Sequence, residues 1–328
     1  MIGKAPRQRL DAGVGGSLAG AGSGFTDGLR GAAEGQCWHE DLTLMKNTAI
    51  LLVSCPDRKG IVASIANFVF QHNGNILHAD EHFDEESSLF LTRVEFDPAD
   101  FDFDLLSFAE HFAPVAEKFE MTWRLARSAY RPKMAILVSK YDHCLADLLY
   151  RQHSGELHCE IPIIISNHPD NKPIADFYRI PYEVIPVPKD NKQAAEQEIL
   201  ALLGQHRPDL IVLARYMQIL SEEFVNRYPH RIINIHHSFL PAFVGAKPYH
   251  QAFQRGVKLI GATSHYVTEV LDDGPIIEQD VVRISHRDAL DDLLQKGRDL
   301  EKMVLSRAVR WHIENRVLLY RNKTVVFD

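Results

Sequence analysis

The sequence predicts an α/β protein with two folded domains. Between Lys46 and about Ala126, strand-like and helix-like stretches follow one another in the order β-α-β-β-α-β. Beyond Pro132, short runs of Ile, Val and Leu alternate with helix-like segments. The first pattern is typical of a ferredoxin-like unit, and the second of a Rossmann-like domain with a mostly parallel sheet covered on both faces. A chain of 328 residues is long enough for both.

Composition divides the chain into four segments. Residues 1–45 are rich in Gly, Ala and Ser without a regular period, which predicts a flexible tail. The alternative is that natural translation begins at Met45, directly before the first strand-like run. Residues 46–127 form the predicted ferredoxin-like domain, 128–132 a linker, and 133–328 the second domain.

The bulk properties exclude several classes of protein. The formal net charge is −8, with 44 acidic and 36 basic residues, which disfavours general binding to nucleic acid. Four cysteines lie far apart without metal-binding spacing, which indicates free thiols in a reducing compartment. No apolar run approaches the ~20 residues that span a bilayer. We therefore expect a cytoplasmic protein with neither nucleic acid nor membrane as a partner.

The stretch "CPDRKGIVASIANFV" joins the first predicted strand to an apolar helix. It resembles the ACT domain, a regulatory module that binds small molecules. The resemblance implies an amino-acid effector, with glycine or methionine as natural candidates, bound between copies of a homo-oligomer. The alternative is a purely structural dimerisation module. The positions that match the ligand-binding turns are Asp57, Gly60, Asn73 and Asn75.

The polar stretch "NIHHSF" ends a strand-like run of the second domain. Because strand side chains alternate, Asn234 and His236 are predicted to share one face, while His237 points the other way. The two histidines then do not converge on one metal ion. An amide beside an imidazole suits stabilisation of an oxyanion together with proton transfer. The alternative is an ordinary polar strand end.

Two further stretches carry candidate residues. In "GATSHYVTEVLDDGPIIEQD", Asp272 and Asp273 precede Gly274, which allows a tight bend that aims a carboxylate back at a cleft; its alternative is a simple acidic turn. In "LARYMQIL", a buried strand ends in an apolar mouth suited to a flat heteroaromatic ring, although such an end is also typical of core. The residues of this mouth are Met217, Gln218, Ile219 and Leu220.

In order and spacing, these three stretches resemble the formyltetrahydrofolate-dependent formyltransferases over residues 133 to about 312. The resemblance implies a catalytic trio of Asn234, His236 and Asp272, and no metal. It also implies that the stretch from Gln218 to Leu220 receives the pterin ring. The remaining candidates for substrate contact or its support are Gly245, Lys247, Thr263 and His265. The alternative for Lys247 is a solvated lysine, and the alternative for Thr263 and His265 is ordinary strand packing.

Two features narrow the resemblance. The segment "SKYDHCLADLLYRQ" after the first strand of this domain contains no glycine, so it lacks the backbone cradle that a ribonucleotide phosphate requires. An ACT-like domain precedes it. Together these features resemble the formyltetrahydrofolate deformylase family along residues 46–328.

That family resemblance implies hydrolysis of 10-formyltetrahydrofolate to formate and tetrahydrofolate, which supplies formate for purine synthesis and balances the one-carbon pool. Folate is then the substrate, and no cofactor is expected. Two alternatives stay open: a formyltransferase with an unidentified amine acceptor, and a non-catalytic sensor that binds folate or an amino acid.

Overall fold

The computed structural model of the chain describes residues 47–188, 190–242 and 248–328. The predicted tail at 1–45 lies outside the described residues, as do Gly245 and Lys247. Among the helices that are described, none is long and apolar enough to cross a membrane. Three of the four cysteines are described, and all three are buried free thiols: Cys55, Cys144 and Cys159.

The first folded part is a four-stranded antiparallel sheet with two helices on one face. Its elements are β1 (Ala49–Pro56), α1 (Ile61–Gln71), β2 (Asn75–Asp84), β3 (Leu89–Asp97), α2 (Phe108–Lys118) and β4 (Thr122–Arg127). The strands lie in the order β2-β3-β1-β4, and β1 pairs antiparallel with both β3 and β4. The βαββαβ order predicted from the sequence is the order observed.

Strand β1 is apolar along its length because both of its faces are covered. Leu51 and Val53 belong to the core formed with α1 and α2. Ile50 and Leu52 point to the opposite face of the sheet and belong to a separate apolar cluster. The alternation of strand side chains explains this division.

The second part is a seven-stranded sheet with helices on both faces. Its elements are β5 (Met134–Val138), α3 (His143–His153), β6 (Ile164–Ser166), α4 (Lys172–Phe177), β7 (Tyr182–Val184), α5 (Lys192–His206), β8 (Leu210–Ala214), α6 (Glu222–Arg227), β9 (Ile232–His236), α7 (Pro248–Arg255), β10 (Leu259–Tyr266), β11 (Ile276–Arg283) and α8 (Leu290–Ile313). The strand order is β11-β10-β9-β8-β5-β6-β7.

Parallel pairing runs from β9 through β8, β5 and β6 to β7, whereas β10 and β11 are antiparallel at one edge. Helices α3 and α8 pack on one face, and α5 and α6 on the other. Burial on both faces explains the near-continuous runs of Ile, Val and Leu. The predicted mostly parallel sheet is confirmed, and the carboxyl ends of β8 and β9 lie at the same edge.

A C-terminal hairpin that the sequence analysis did not predict completes the described structure. It consists of β12 (Val317–Tyr320) and β13 (Lys323–Val326). The hairpin and the residue after it cover the free face of the four-stranded sheet through one apolar cluster. The buried residues of this cluster are Ile50, Leu52, Leu91, Leu318, Tyr320 and Phe327.

Candidate active site

The polar end of β9 lies beside β10 and forms one wall of a cavity. The register of the two strands sets His265 opposite Asn234 and Thr263 opposite His236. Asn234 and His236 both border the cavity, as strand alternation predicts. The side-chain nitrogen of Asn234 lies 3.2 Å from Nε2 of His265.

Asp272 reaches this wall from the loop between β10 and β11. Its Oδ2 lies 3.3 Å from Nδ1 of His236, and its Oδ1 lies 3.8 Å from Nε2 of His265. Asp272 has a left-handed backbone with φ of 56°. At Gly274, a Cβ would lie 1.8 Å from the carbonyl oxygen of Tyr266. The predicted bend therefore requires glycine, and it aims the carboxylate into the cleft.

Hydrogen bonds fix the proton positions of the neighbouring histidine. Nδ1 of His265 lies 2.9 Å from the carbonyl oxygen of Tyr266, so this nitrogen donates. Burial is the main cause that lowers the pKa of His265, and the neutral ring then carries a lone pair on Nε2. Nε2 accepts one N–H of Asn234, which leaves the second N–H of that amide for another partner.

His236 and Asp272 form a second oriented pair. Burial raises the pKa of Asp272, but the hydrogen bond from His236 and the charge interaction with that same ring outweigh it, so the pKa of Asp272 lies below the ordinary value. The carboxylate is therefore ionised at neutral pH and fixes the His236 ring through Nδ1. Nε2 of His236 is buried and has no hydrogen-bond partner in the described part of the chain.

The cavity has a volume of about 500 Å³ and an apolar rim on the side away from β10. All four residues of the predicted apolar mouth line it: Met217, Gln218, Ile219 and Leu220. Met217 and Ile219 are 52% and 59% exposed, so their side chains are available to a flat ring. The loop is held at its start, where the amide of Met217 donates to Oγ of Ser139.

Thr263 and His265, predicted as a pair, have different surroundings. His265 borders the cavity, whereas Thr263 is fully buried and lies outside the cavity lining. The Thr263 hydroxyl donates to the carbonyl of Ser238 and accepts from the amide of Leu240. Thr263 therefore supports the segment that follows β9.

His237 was predicted to point away from Asn234 and His236, yet it also borders the cavity. The reason is that β9 ends at His236, so strand alternation no longer applies at the next residue. Its ring centroid lies 5.4 Å from that of His236. Burial, together with the charge of Arg215, lowers the pKa of His237 to about 3, so the ring is neutral.

A buried charged cluster that sequence reasoning missed lies beside the cavity. Glu301 on α8 has a side chain only 1% exposed. Its oxygens lie 2.8 Å from Nε2 of His143, 2.8 Å from the hydroxyl of Tyr249 and 3.4 Å from Nε of Arg215. A Cβ at Gly297 would lie 2.3 Å from the Tyr249 ring, so this glycine lets Tyr249 reach α8. In the sequence, the signal that could have indicated this cluster is an acidic residue, Glu301, among the apolar residues on the buried face of α8.

The same cluster contains residue types that can bind metal ions. His143, Cys144 and Glu301 offer ligand atoms within 4.8 Å of one another. The Glu301 oxygens are already occupied by the hydrogen bonds of His143 and Tyr249 and by the Arg215 cation, which opposes a second cation. Burial raises the pKa of the Cys144 thiol well above its ordinary value, so a thiolate ligand is disfavoured. These residues do not fit a metal.

The four predicted effector residues fall into two groups within one chain. Asp57 and Gly60 precede α1, and Gly60 has φ of 94° directly before its first residue. Asn73 and Asn75 follow the other end of α1. A helix of 11 residues is about 16 Å long, so the two groups do not form one site within a single subunit.

The chain was compared with protein families and with solved structures, and both comparisons indicate the same class of protein. Residues 132–309 match the formyl transferase family. Glycinamide ribonucleotide transformylase 1 from Symbiobacterium toebii has a TM-score of 0.58 at 27% identity, covering 60% of this chain and 95% of that one. The chain is thus a member of the formyl transferase class by its second domain.

Relatives over nearly the whole folded region are more specific. A formyltetrahydrofolate deformylase from Synechocystis sp. is 58% identical, covering 85% of this chain and 98% of the relative. A formyltetrahydrofolate deformylase from Bacillus subtilis is 50% identical, covering 85% of this chain and 93% of the relative. The crystal structure of a formyltetrahydrofolate deformylase from Pseudomonas syringae pv. tomato has a TM-score of 0.85 at 53% identity, covering 88% and 98%. The chain belongs to the formyltetrahydrofolate deformylase family, which confirms the family predicted from its sequence.

Proposed function

We propose that the protein hydrolyses 10-formyltetrahydrofolate to formate and tetrahydrofolate, with water as the acceptor. The observation that carries this proposal is the convergence of Asn234, His236 and Asp272 on one cavity, in a chain of the deformylase family. The exposed apolar rim from Met217 to Leu220 suits the pterin ring. The reaction releases formate for purine synthesis and returns tetrahydrofolate to the one-carbon pool.

The proposed mechanism uses each member of the trio at a stated atom. Water attacks the formyl carbon, and the electron pair of the C=O bond moves onto the oxygen. The second N–H of Asn234 and Nε2–H of protonated His236 stabilise this oxyanion. Asp272 accepts a proton from the attacking water. The C–N bond then breaks, the departing nitrogen gains a proton through His236 or water, and formate leaves.

The segment between β5 and α3 supports water as the acceptor. Residues 139–142 contain no glycine, and a phosphate cradle needs backbone that can approach the phosphate closely. The carbonyl oxygen of Ser139 accepts from Asn171, and its hydroxyl accepts from the Met217 amide and donates to Asn167. Through these contacts, Ser139 binds neighbouring loops, including the start of the apolar rim at Met217.

Release of formate in the absence of any amine tests the proposal. Purified protein with 10-formyltetrahydrofolate alone should produce formate and tetrahydrofolate in equal amounts. Asn234→Ala, His236→Ala and Asp272→Ala should each lose this activity and keep their fold; loss of one oxyanion donor alone costs about 10²–10³-fold. Release only after an amine is added would favour a formyltransferase, and folate binding without turnover would favour a sensor.

We also propose that residues 46–127 form an ACT domain that binds an amino acid between two copies of the chain. The support is the βαββαβ order together with the two groups of candidate residues at opposite ends of α1, which two copies can bring together. Calorimetry on the full chain with glycine or methionine tests it. Asp57→Ala should abolish a heat of binding that the wild type gives; no heat with either amino acid would count against the ligand.

A further inference from the structure

The C-terminal hairpin lies between the four-stranded sheet and the loop that carries Asp272. The formyl transferase match ends at residue 309, so the hairpin and the four-stranded sheet both lie outside it. These two parts pack on each other through the apolar cluster of β1, β3 and the hairpin. In the described structure the hairpin strands pair only with each other, so packing determines where the hairpin sits. One side packs on the four-stranded sheet through this cluster, and the other packs on the core of the second domain through Val317, Leu319 and Val326.

Polar contacts also hold the hairpin on the four-stranded sheet. Nζ of Lys323 lies 2.6 Å from a carboxylate oxygen of Glu86. At the start of the hairpin, Arg93 donates through Nε to the carbonyl of Asn315 at 3.2 Å, and Arg124 donates to its side-chain oxygen at 2.5 Å. Strands β3 and β4 are thus each tied to the chain that leads into the hairpin.

The other side of the hairpin contacts the catalytic loop. Nδ2 of Asn322, in the hairpin turn, donates to the carbonyl oxygen of Asp273 at 2.9 Å. The hydroxyl of Thr324 on β13 donates to the carbonyl oxygen of Ile276, the first residue of β11. These two contacts flank Gly274 and Pro275, and the first acts on the residue directly after Asp272.

The backbone at Asp272 depends on such support. A non-glycine residue at φ of 56° adopts a sparsely populated conformation, which persists where its surroundings hold it. The carboxylate of Asp272 must keep both His236 and an attacking water in reach. A displacement of about 1 Å can cost about 10²-fold in rate.

We propose that Asn322 and Thr324 are positioning residues for Asp272, and that the four-stranded domain contributes to the geometry of the catalytic loop through them. This proposal rests on the proposed hydrolysis for its rate prediction. The contacts transmit position only, since neither residue lines the cavity that holds the trio.

The test combines Asn322→Ala with Thr324→Val, which removes both hydrogen bonds and retains the shape of Thr324. Loss of the two contacts should lower kcat for formate release about tenfold and leave KM within about twofold. Arg321→Gln, an exposed position in the same turn, is the matched control and should retain wild-type kcat. In the Asp272→Asn background the pair of substitutions should add nothing.

Amide hydrogen exchange of the full chain gives a readout independent of turnover. Exchange in residues 268–276 should be faster in the Asn322/Thr324 variant than in the wild type or the Arg321 control. Unchanged exchange with unchanged kcat, or a full additional loss of rate in the Asp272→Asn background, would overturn the proposal. If the wild type releases no formate while exchange still rises, the proposed hydrolysis fails but the positioning contact stands.

Discussion

Replacing Glu301 by Gln should destabilise the protein strongly, although the substitution preserves the shape of the side chain. Glu301 is the buried counter-charge of Arg215, whose own side chain is 9% exposed. Nε and Nη1 of Arg215 are buried and make no hydrogen bond to any described residue, so the charge of Glu301 is what compensates the guanidinium. Removing the carboxylate charge leaves the guanidinium buried without compensation.

The expected size follows from that burial. Loss of one partner of a buried ion pair costs about 3–5 kcal/mol in the free energy of unfolding. For a domain of this size, at about 2–4 °C per kcal/mol, such a loss lowers Tm by about 6–20 °C. The matched control is Glu223→Gln, because Glu223 is 50% exposed and pairs with Arg227 at the surface. A surface pair contributes about 0–1 kcal/mol, so this control should scarcely move Tm.

Thermal unfolding followed by circular dichroism measures the Tm of both variants. A double variant and the pH dependence of stability test whether the lost charge is the cause. Adding Arg215→Met to Glu301→Gln removes the uncompensated cation and should recover most of the loss. Burial raises the pKa of Glu301, but the hydrogen bond from His143 and the charge of Arg215 outweigh the effect of burial. The pKa of Glu301 therefore lies below its ordinary value. The stabilisation from Glu301 is therefore fully present above about pH 4.5, the ordinary pKa of a glutamate. It is lost as the pH falls through the lower pKa that Glu301 has in the folded protein. Equal Tm shifts for Glu301→Gln and Glu223→Gln would refute this reasoning.

Two other predictions concern a glycine and a buried histidine. Gly274→Ala should lower kcat for formate release by about 10²-fold, because its Cβ must displace the Asp272 loop; Gly204→Ala on α5, with open space around it, is the control and should retain full activity. Burial, with the charges of Arg124 and Arg231, lowers the pKa of His312 from 6.5 to about 4. The unfolded chain therefore binds the extra proton between these values, so urea unfolding should show about 3 kcal/mol of stability lost as pH falls from 6.5 to 4. His312→Gln should flatten this dependence, and an unchanged slope would contradict it.

The sequence predicted the parts of the site that depend on local patterns. Strand alternation placed Asn234 and His236 together, and Gly274 indicated the bend that brings Asp272 to them. The choice of Asp272 over Asp273 came from the family resemblance alone, because periodicity does not distinguish two adjacent turn residues. His237 was misplaced because the strand ends one residue earlier than the pattern does.

The parts that were missed depend on contacts between distant segments. Glu301 meets Arg215 and His143 only because α8 packs across the same face of the sheet as α3. The C-terminal hairpin turns at Arg321 and Asn322, and Arg321 adopts φ of 52° without being glycine, so a single asparagine was the only turn signal at this point of the sequence. Local residue preferences do not report packing between distant segments or domains.

Single-turnover hydrolysis of 10-formyltetrahydrofolate in H₂¹⁸O tests the central claim most directly, because it follows the oxygen that joins the formyl carbon. A water molecule activated by Asp272 and attacking beside Asn234 and His236 predicts formate with one ¹⁸O atom per molecule. The Asp272→Asn variant should produce almost none in the same time. Unlabelled formate, or a formyl group recovered on an amine, would contradict water as the acceptor.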